Sequence, residues 1–168
     1  MKTALQGNEV NLSGNFVEKG VQAPEFCMRK TDLSDYKLAD NTGKYLLLNI
    51  FPSVDTPVCS ASVRRFNVAA SNMKNTQVLC ISKDLPFAQG RFCGAEGIEN
   101  VVMLSDFDSN FGKDYGVLIA DGPMKGLLAR AVIILSPEHK VVYTQLVPEI
   151  THEPNYEEAL NVLQHATK

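Results

Sequence analysis

The sequence predicts one α/β domain over residues 1–168, with a mixed central sheet flanked by helices on both faces and a β-hairpin at its N-terminus. Three observations carry this. Residues 46–51 (LLLNIF) and 77–82 (QVLCIS) are apolar runs of strand length on either side of a helical stretch. That order reads as a parallel βαβ unit with a right-handed crossover. Two more apolar runs, 131–135 and 141–146, flank the turn Pro137-Glu138-His139 as a hairpin.

Residues 4–20 read as short strands broken at Gly7-Asn8 and Ser13-Gly14-Asn15, which makes the N-terminal hairpin. Residues 26–30 read as a strand carrying Cys27, taken as structural because no helix start or basic partner is near. Residues 32–44 are polar and rich in turns. After the central strand at 46–51 comes a turn, Pro52-Ser53-Val54-Asp55.

A helix then runs from Thr56 to about Met73. Thr56 suits its N-cap. Pro57 suits the first helical position, where its missing N–H costs nothing. On that register Cys59 is the third helical residue, beside unpaired backbone N–H groups at the positive end of the helix dipole. Such a place favours a thiolate. The competing reading is an inert core thiol, because Val63, Phe66, Ala70 and Met73 mark an apolar face that Cys59 shares. The coincidence of cap, proline and thiol in one turn favours the reactive reading.

Cys80 lies inside the strand at 77–82 and reads as a buried core thiol. A short helix starts near Asp84-Leu85-Pro86, with Asp84 as its cap, and Gly94 is taken as its stop. Cys93 falls near that C-terminus, where the dipole does not favour a thiolate. It is a poor first nucleophile, but it can attack an activated sulfur. Residues 101–104 read as a strand and 107–115 as a helix stopped by Gly116. A Gly/Pro loop covers 120–126, Arg130 leads into the hairpin, and 154–166 close as an amphipathic helix.

The net charge is −3 with no Lys/Arg stripe, so Arg64-Arg65 reads as a solvated helix face and no nucleic-acid partner is expected. No long apolar span or leader is apparent, so no membrane partner is expected and a cytoplasmic location is. The four cysteines form no C-x-x-C pair, which argues against zinc and against a dithiol motif; no cofactor or metal is expected. In a reducing compartment, a disulfide among them is transient and catalytic.

These residues also carry a resemblance. Pro52, Thr56 and Cys59 fit the P-x-x-x-T-x-x-C signature of peroxiredoxins. FPSVDTPVC, SKDLPFAQGRFCGAEG, DGPMKGLLARAV and LVPEITHEPNYEEAL resemble distinctive segments of the bacterial thiol peroxidase subfamily, so the likeness spans nearly the whole chain. The resemblance implies a thioredoxin-like fold, a homodimer, and reduction of hydrogen peroxide and organic hydroperoxides with thioredoxin as reductant. By that likeness Cys59 matches the peroxidatic cysteine, Cys93 the resolving cysteine, and Arg130 the active-site arginine. Thr56 and Pro52 match the pocket residues. An intramolecular Cys59–Cys93 disulfide is then implied.

The chemistry suits those roles. Attack on a peroxide makes a sulfenic acid and expels an oxygen that gains charge, which preorganised donors stabilise. The Thr56 hydroxyl, the Cys59 N–H and the Arg130 guanidinium can supply them, and Pro52 shields the sulfur from water. Two readings compete. A cysteine hydrolase needs a histidine base, and His139, His152 and His165 show no orienting partner. A non-catalytic redox sensor would use the same Cys59.

Overall fold

The computed structural model describes residues 2–167. Among them, β1 (Lys2–Leu5) and β2 (Asn8–Ser13) form the expected hairpin. Its two-residue turn is Gln6-Gly7, not Gly7-Asn8, and both residues have positive φ. That matches the twist of a tight hairpin. β3 (Cys27–Arg29) and β4 (Asp35–Lys37) follow. β5 (Tyr45–Ile50), α1 (Pro57–Ala70) and β6 (Thr76–Ser82) make the βαβ unit. Then come α2 (Pro86–Glu96), β7 (Val102–Ser105) and α3 (Phe111–Asp114). β8 (Leu118–Ile119), β9 (Ala131–Leu135), β10 (Val141–Leu146) and α4 (Tyr156–Ala166) complete the order.

The main sheet runs β10-β9-β5-β6-β7-β3-β4, and β1-β2-β8 form a second, smaller sheet. β5, β6 and β7 are parallel, while β9 and β3 join antiparallel on either side. β4 lies within the polar stretch read as turns, and β8 adds onto β2. The helix expected over 107–115 is only the short α3. Ahead of it, the buried Asp106 carboxylate takes the Ser109 hydroxyl and the Gly112 N–H (3.0 Å), which fixes residues 106–110 as a turn.

β5 is buried on both faces, as a central strand must be. Leu46, Leu48 and Ile50 join one core with Phe111, Tyr115 and Val117. Leu47 and Phe51 join the opposite core with Cys59, Val63 and Phe66 of α1, Phe92 of α2, and Ala159 and Leu163 of α4. The three long helices thus share one face, and α3 with the segment around Val17 and Phe26 covers the other. Gly116 permits the close crossing of the chain beneath α3. It has φ +71, and a Cβ there would meet the Asn15 backbone at 2.2 Å. Among the described residues no helix is long and apolar enough to cross a membrane.

Candidate active site

The loop after β5 delivers Cys59 to the carboxyl end of the parallel strands, where ligands bind in sheets of this kind. Pro52 is buried and Thr56 half-buried. Thr56 holds the N-cap backbone position (φ −106, ψ 146), and its carbonyl accepts from Ser60 N at 3.0 Å. Its side chain does not cap the helix. The hydroxyl instead donates to Ser53 O at 3.1 Å, which leaves its oxygen free to accept. With Pro57 at the first helical position, Cys59 is the third, and it is fully buried. Its N–H belongs to the first turn, whose amides lack intrahelical partners.

Arg130 immediately precedes β9, and the β5–β9 register pairs Ala131 with Ile50. That register sets Arg130 beside Phe51 at the mouth of the Cys59 loop. Its Nη2 donates to Cys59 Sγ at 3.2 Å, and its Nε donates to Ile150 O at 2.8 Å. Arg130 is only 2% exposed. Its Nη1 is buried with no partner among the described residues. A buried guanidinium is costly to desolvate unless an anion faces it, and here the facing group is sulfur. The arrangement sets a permanently charged donor directly on the Cys59 sulfur.

Behind Cys59 lies a buried polar chain. Ser62 Oγ donates to Cys59 O at 2.7 Å, and Asn49 Nδ2 donates to Ser62 Oγ at 3.2 Å. Asn49 Nδ2 also lies 3.8 Å from Cys80 Sγ. In front of Cys59, the Asp84 carboxylate accepts from Ser53 Oγ at 2.7 Å, Val54 N at 2.8 Å and Ser82 Oγ at 2.6 Å. This corrects the reading of Asp84 as the cap of α2. The N-cap is Leu85, without a side-chain cap bond, because the carboxylate is held by the neighbouring loop.

Cys93 sits in the last turn of α2 and is half-buried, and burial pushes its thiol up from the ordinary range. The helix does not stop at Gly94. Gly94 keeps a place inside α2, and Gly97, at φ +66, ends it. The Gly97 and Ile98 N–H groups both donate to Cys93 O, the latter at 3.0 Å, as in a Schellman cap. Cys80 is fully buried, and burial pushes its thiol up to about 12. Cys27 is exposed on β3, so it is not the packed structural thiol expected from the sequence. All four cysteines are free thiols.

The structure therefore brings Arg130 to Cys59, with Thr56 at the N-cap of the same helix and Pro52 buried at the start of the loop, and sets Cys93 on a helix of the same core. The histidines stand apart: His139 contacts Asn41 O at 2.8 Å, His165 contacts Asn161 O at 2.8 Å, and His152 is exposed. The contributions of Asn49, Ser62, Asp84 and the Ile150 carbonyl escaped sequence reasoning. A polar Asn49 inside an otherwise apolar strand was the one visible signal.

The Redoxin family matches residues 18–160. A thiol peroxidase of Corynebacterium glutamicum is 55% identical over 162 residues, covering 96% of this chain and 98% of its own. A thiol peroxidase of Mycobacterium bovis is 56% identical over 159 residues, covering 95% of this chain and 96% of its own. A solved structure of a peroxiredoxin-like protein from Aquifex aeolicus superposes with a TM-score of 0.92 at 42% identity, covering 98% of this chain and 96% of its own.

Proposed function

The chain belongs to the Redoxin family, in its thiol peroxidase branch, and from that premise we propose that this thiol-dependent peroxidase works through Cys59 as nucleophile and Cys93 as resolving thiol. Its fold is the thioredoxin-like peroxiredoxin fold. One observation supports the assignment above the others. The Arg130 guanidinium spends one nitrogen on Cys59 Sγ at 3.2 Å and keeps Nη1 buried and unpartnered beside it.

The Cys59 thiolate attacks one oxygen of a hydroperoxide. The S–O bond forms as the O–O bond breaks, and hydroxide or alkoxide leaves with the electron pair. Arg130 Nη1 and the Cys59 N–H stabilise the charge that gathers on the departing oxygen. The Thr56 hydroxyl, whose own hydrogen is directed at Ser53 O, accepts from the peroxide O–H and orients it. Pro52 keeps water from the sulfur. The product is a sulfenic acid on Cys59.

Cys93 sulfur then attacks the Cys59 sulfur, a disulfide forms, and the sulfenic oxygen leaves as water. A dithiol reductant, thioredoxin in our reading, returns both cysteines to thiols. Up to the disulfide, the groups these steps use on the protein side are side chains and backbone of this chain. Hydrogen peroxide and alkyl hydroperoxides are the proposed substrates. A homodimer in the cytoplasm and one domain over 1–168 complete the reading.

Because each cysteine lies in an intact helix, a terminal turn of α1 or α2 unwinds for the bond to form, since a disulfide needs Cα atoms within about 7 Å. A non-reducing peptide map of peroxide-treated protein tests the scheme. A Cys59–Cys93 link in a monomer-sized chain is expected. Intermolecular disulfides or a Cys59–Cys80 link would refute it.

A further inference from the structure

We propose that Asp84 is a positioning residue that holds the Cys59 loop in its peroxide-reactive form and so sets the balance between oxidation of Cys59 and closure of the disulfide. This rests on the roles given above to Cys59 and Cys93. Asp84 joins two segments that sequence separates. Toward the loop, Oδ1 accepts from Ser53 Oγ at 2.7 Å and Oδ2 accepts from Val54 N at 2.8 Å. Toward the sheet, Oδ2 accepts from Ser82 Oγ at 2.6 Å, and the Asp84 carbonyl accepts from the Ser105 hydroxyl. Asp84 is thus anchored at the ends of β6 and β7 and reaches forward to the loop. Two residues later α2 begins, the helix that carries Cys93.

The hold passes on to the catalytic turn. Ser53 Oγ also accepts from Asp55 N at 3.1 Å. Ser53 O accepts from Thr56 N at 3.3 Å and from Thr56 Oγ1 at 3.1 Å. Asp84 therefore fixes Ser53, and Ser53 fixes the N-cap residue that faces the peroxide. A carboxylate with three donors is a strong, directional acceptor. The other side-chain link across this gap, Arg91 to Asp55 at 3.4 Å, joins two groups exposed by 69% and 65%, and such pairs hold little.

The ordinary role for an acidic residue just before a helix is to cap it. Asp84 forgoes that role, leaving α2 without a side-chain cap. Its carboxylate stabilises the loop of the partner thiol instead. Replacing it with an amide turns one of its two acceptor oxygens into an NH2 group, so at least one of the three bonds is lost or reversed and the loop loosens while the anchor through Ser105 stays.

The two chemical steps then respond in opposite directions. Cys59 oxidation needs the loop closed against Arg130. Disulfide closure needs it open. In rapid-quench single turnovers of the full chain, Asp84→Asn should slow Cys59 sulfenic acid formation by hydrogen peroxide about 10-fold, the rate equivalent of one lost bond to a charged acceptor. That step is read with a dimedone-type probe in the Cys93→Ser background. Closure of the Cys59–Cys93 disulfide, read by mass mapping with Cys93 present, should become faster. Ser53→Ala, which removes one donor, should give the same split with smaller factors, and it serves where Asp84→Asn does not fold. Both rates falling together, or neither changing, overturns the proposal. If wild-type protein itself forms no Cys59–Cys93 link, the underlying reading fails instead, and the wild-type lane separates the two failures.

Discussion

The two helix ends that carry the proposed working thiols are built in opposite ways. At the start of α1, Cys59 is fully buried, faces the positive end of the dipole and meets Arg130 at 3.2 Å. At the end of α2, Cys93 is half-buried, and burial pushes its thiol up. On the proposed mechanism the first site works by keeping structure and the second by losing it, because unwinding returns Cys93 to water. α2 is suited to that. It contains Gly90 and Gly94, and a helical glycine costs about 1 kcal/mol relative to alanine. α1 contains no glycine.

The largest expected effect removes the activated end altogether. Cys59→Ser should abolish peroxide consumption in a coupled reductant assay while circular dichroism stays that of the wild type. Activity near wild type in a folded variant would erase the contrast between the two ends. Next in size is Arg130→Met, which leaves Cys59 buried but without its cation. Sulfenic acid formation should fall on the order of 100-fold, and alkylation of Cys59 by iodoacetamide at neutral pH should slow with it. An unchanged alkylation rate would mean that the helix terminus suffices alone.

The other end is probed by helix stability. A Cβ on Gly94 meets no atom within 4 Å, so Gly94→Ala adds helix propensity without a clash. Worth about 1 kcal/mol, it should slow disulfide closure about fivefold and leave Cys59 oxidation alone. Gly97→Ala acts with the opposite sign, because φ +66 strains any side chain and loosens the cap on Cys93. If neither substitution moves the closure rate, the unwinding belongs to α1. The smallest effect is expected at Cys80, whose thiol is pushed up to about 12 and stays neutral. Cys80→Ser should keep most peroxide turnover, and loss of turnover with an intact fold would make it a third participant.

Much of this contrast was legible before the structure. β5, β6 and β9 announced themselves as apolar runs, and Thr56-Pro57 located the start of α1, so the register of Cys59 followed from local signals. The end of α2 was misread because glycine is the usual helix stop. Gly94 keeps helical dihedrals, and Gly97 takes the left-handed turn three residues later. β4 and β8 are three and two residues long, too short for a periodic signal. Asp84 was misassigned for a physical reason: its local option as a cap competes with donors on a loop some 30 residues away, and the remote donors win. The contact between Arg130 and Cys59 spans 71 residues, and no periodicity foretells it; family resemblance alone pointed there.

That span has a consequence for how the enzyme comes into being. Arg130 reaches Cys59 only through the pairing of β9 with β5, where Ile50 stands opposite Ala131. A shift of one residue in that ladder turns every side chain of the strand to the opposite face. Pairing across so long a stretch forms late, because loop closure must precede any reward from the contact. While the chain is being made, Cys59 emerges some 70 residues before the arginine that serves it. The nascent thiol lacks both its cation and its burial during that interval. On the proposed mechanism, then, completion of the central sheet is what assembles the reactive sulfur with its arginine.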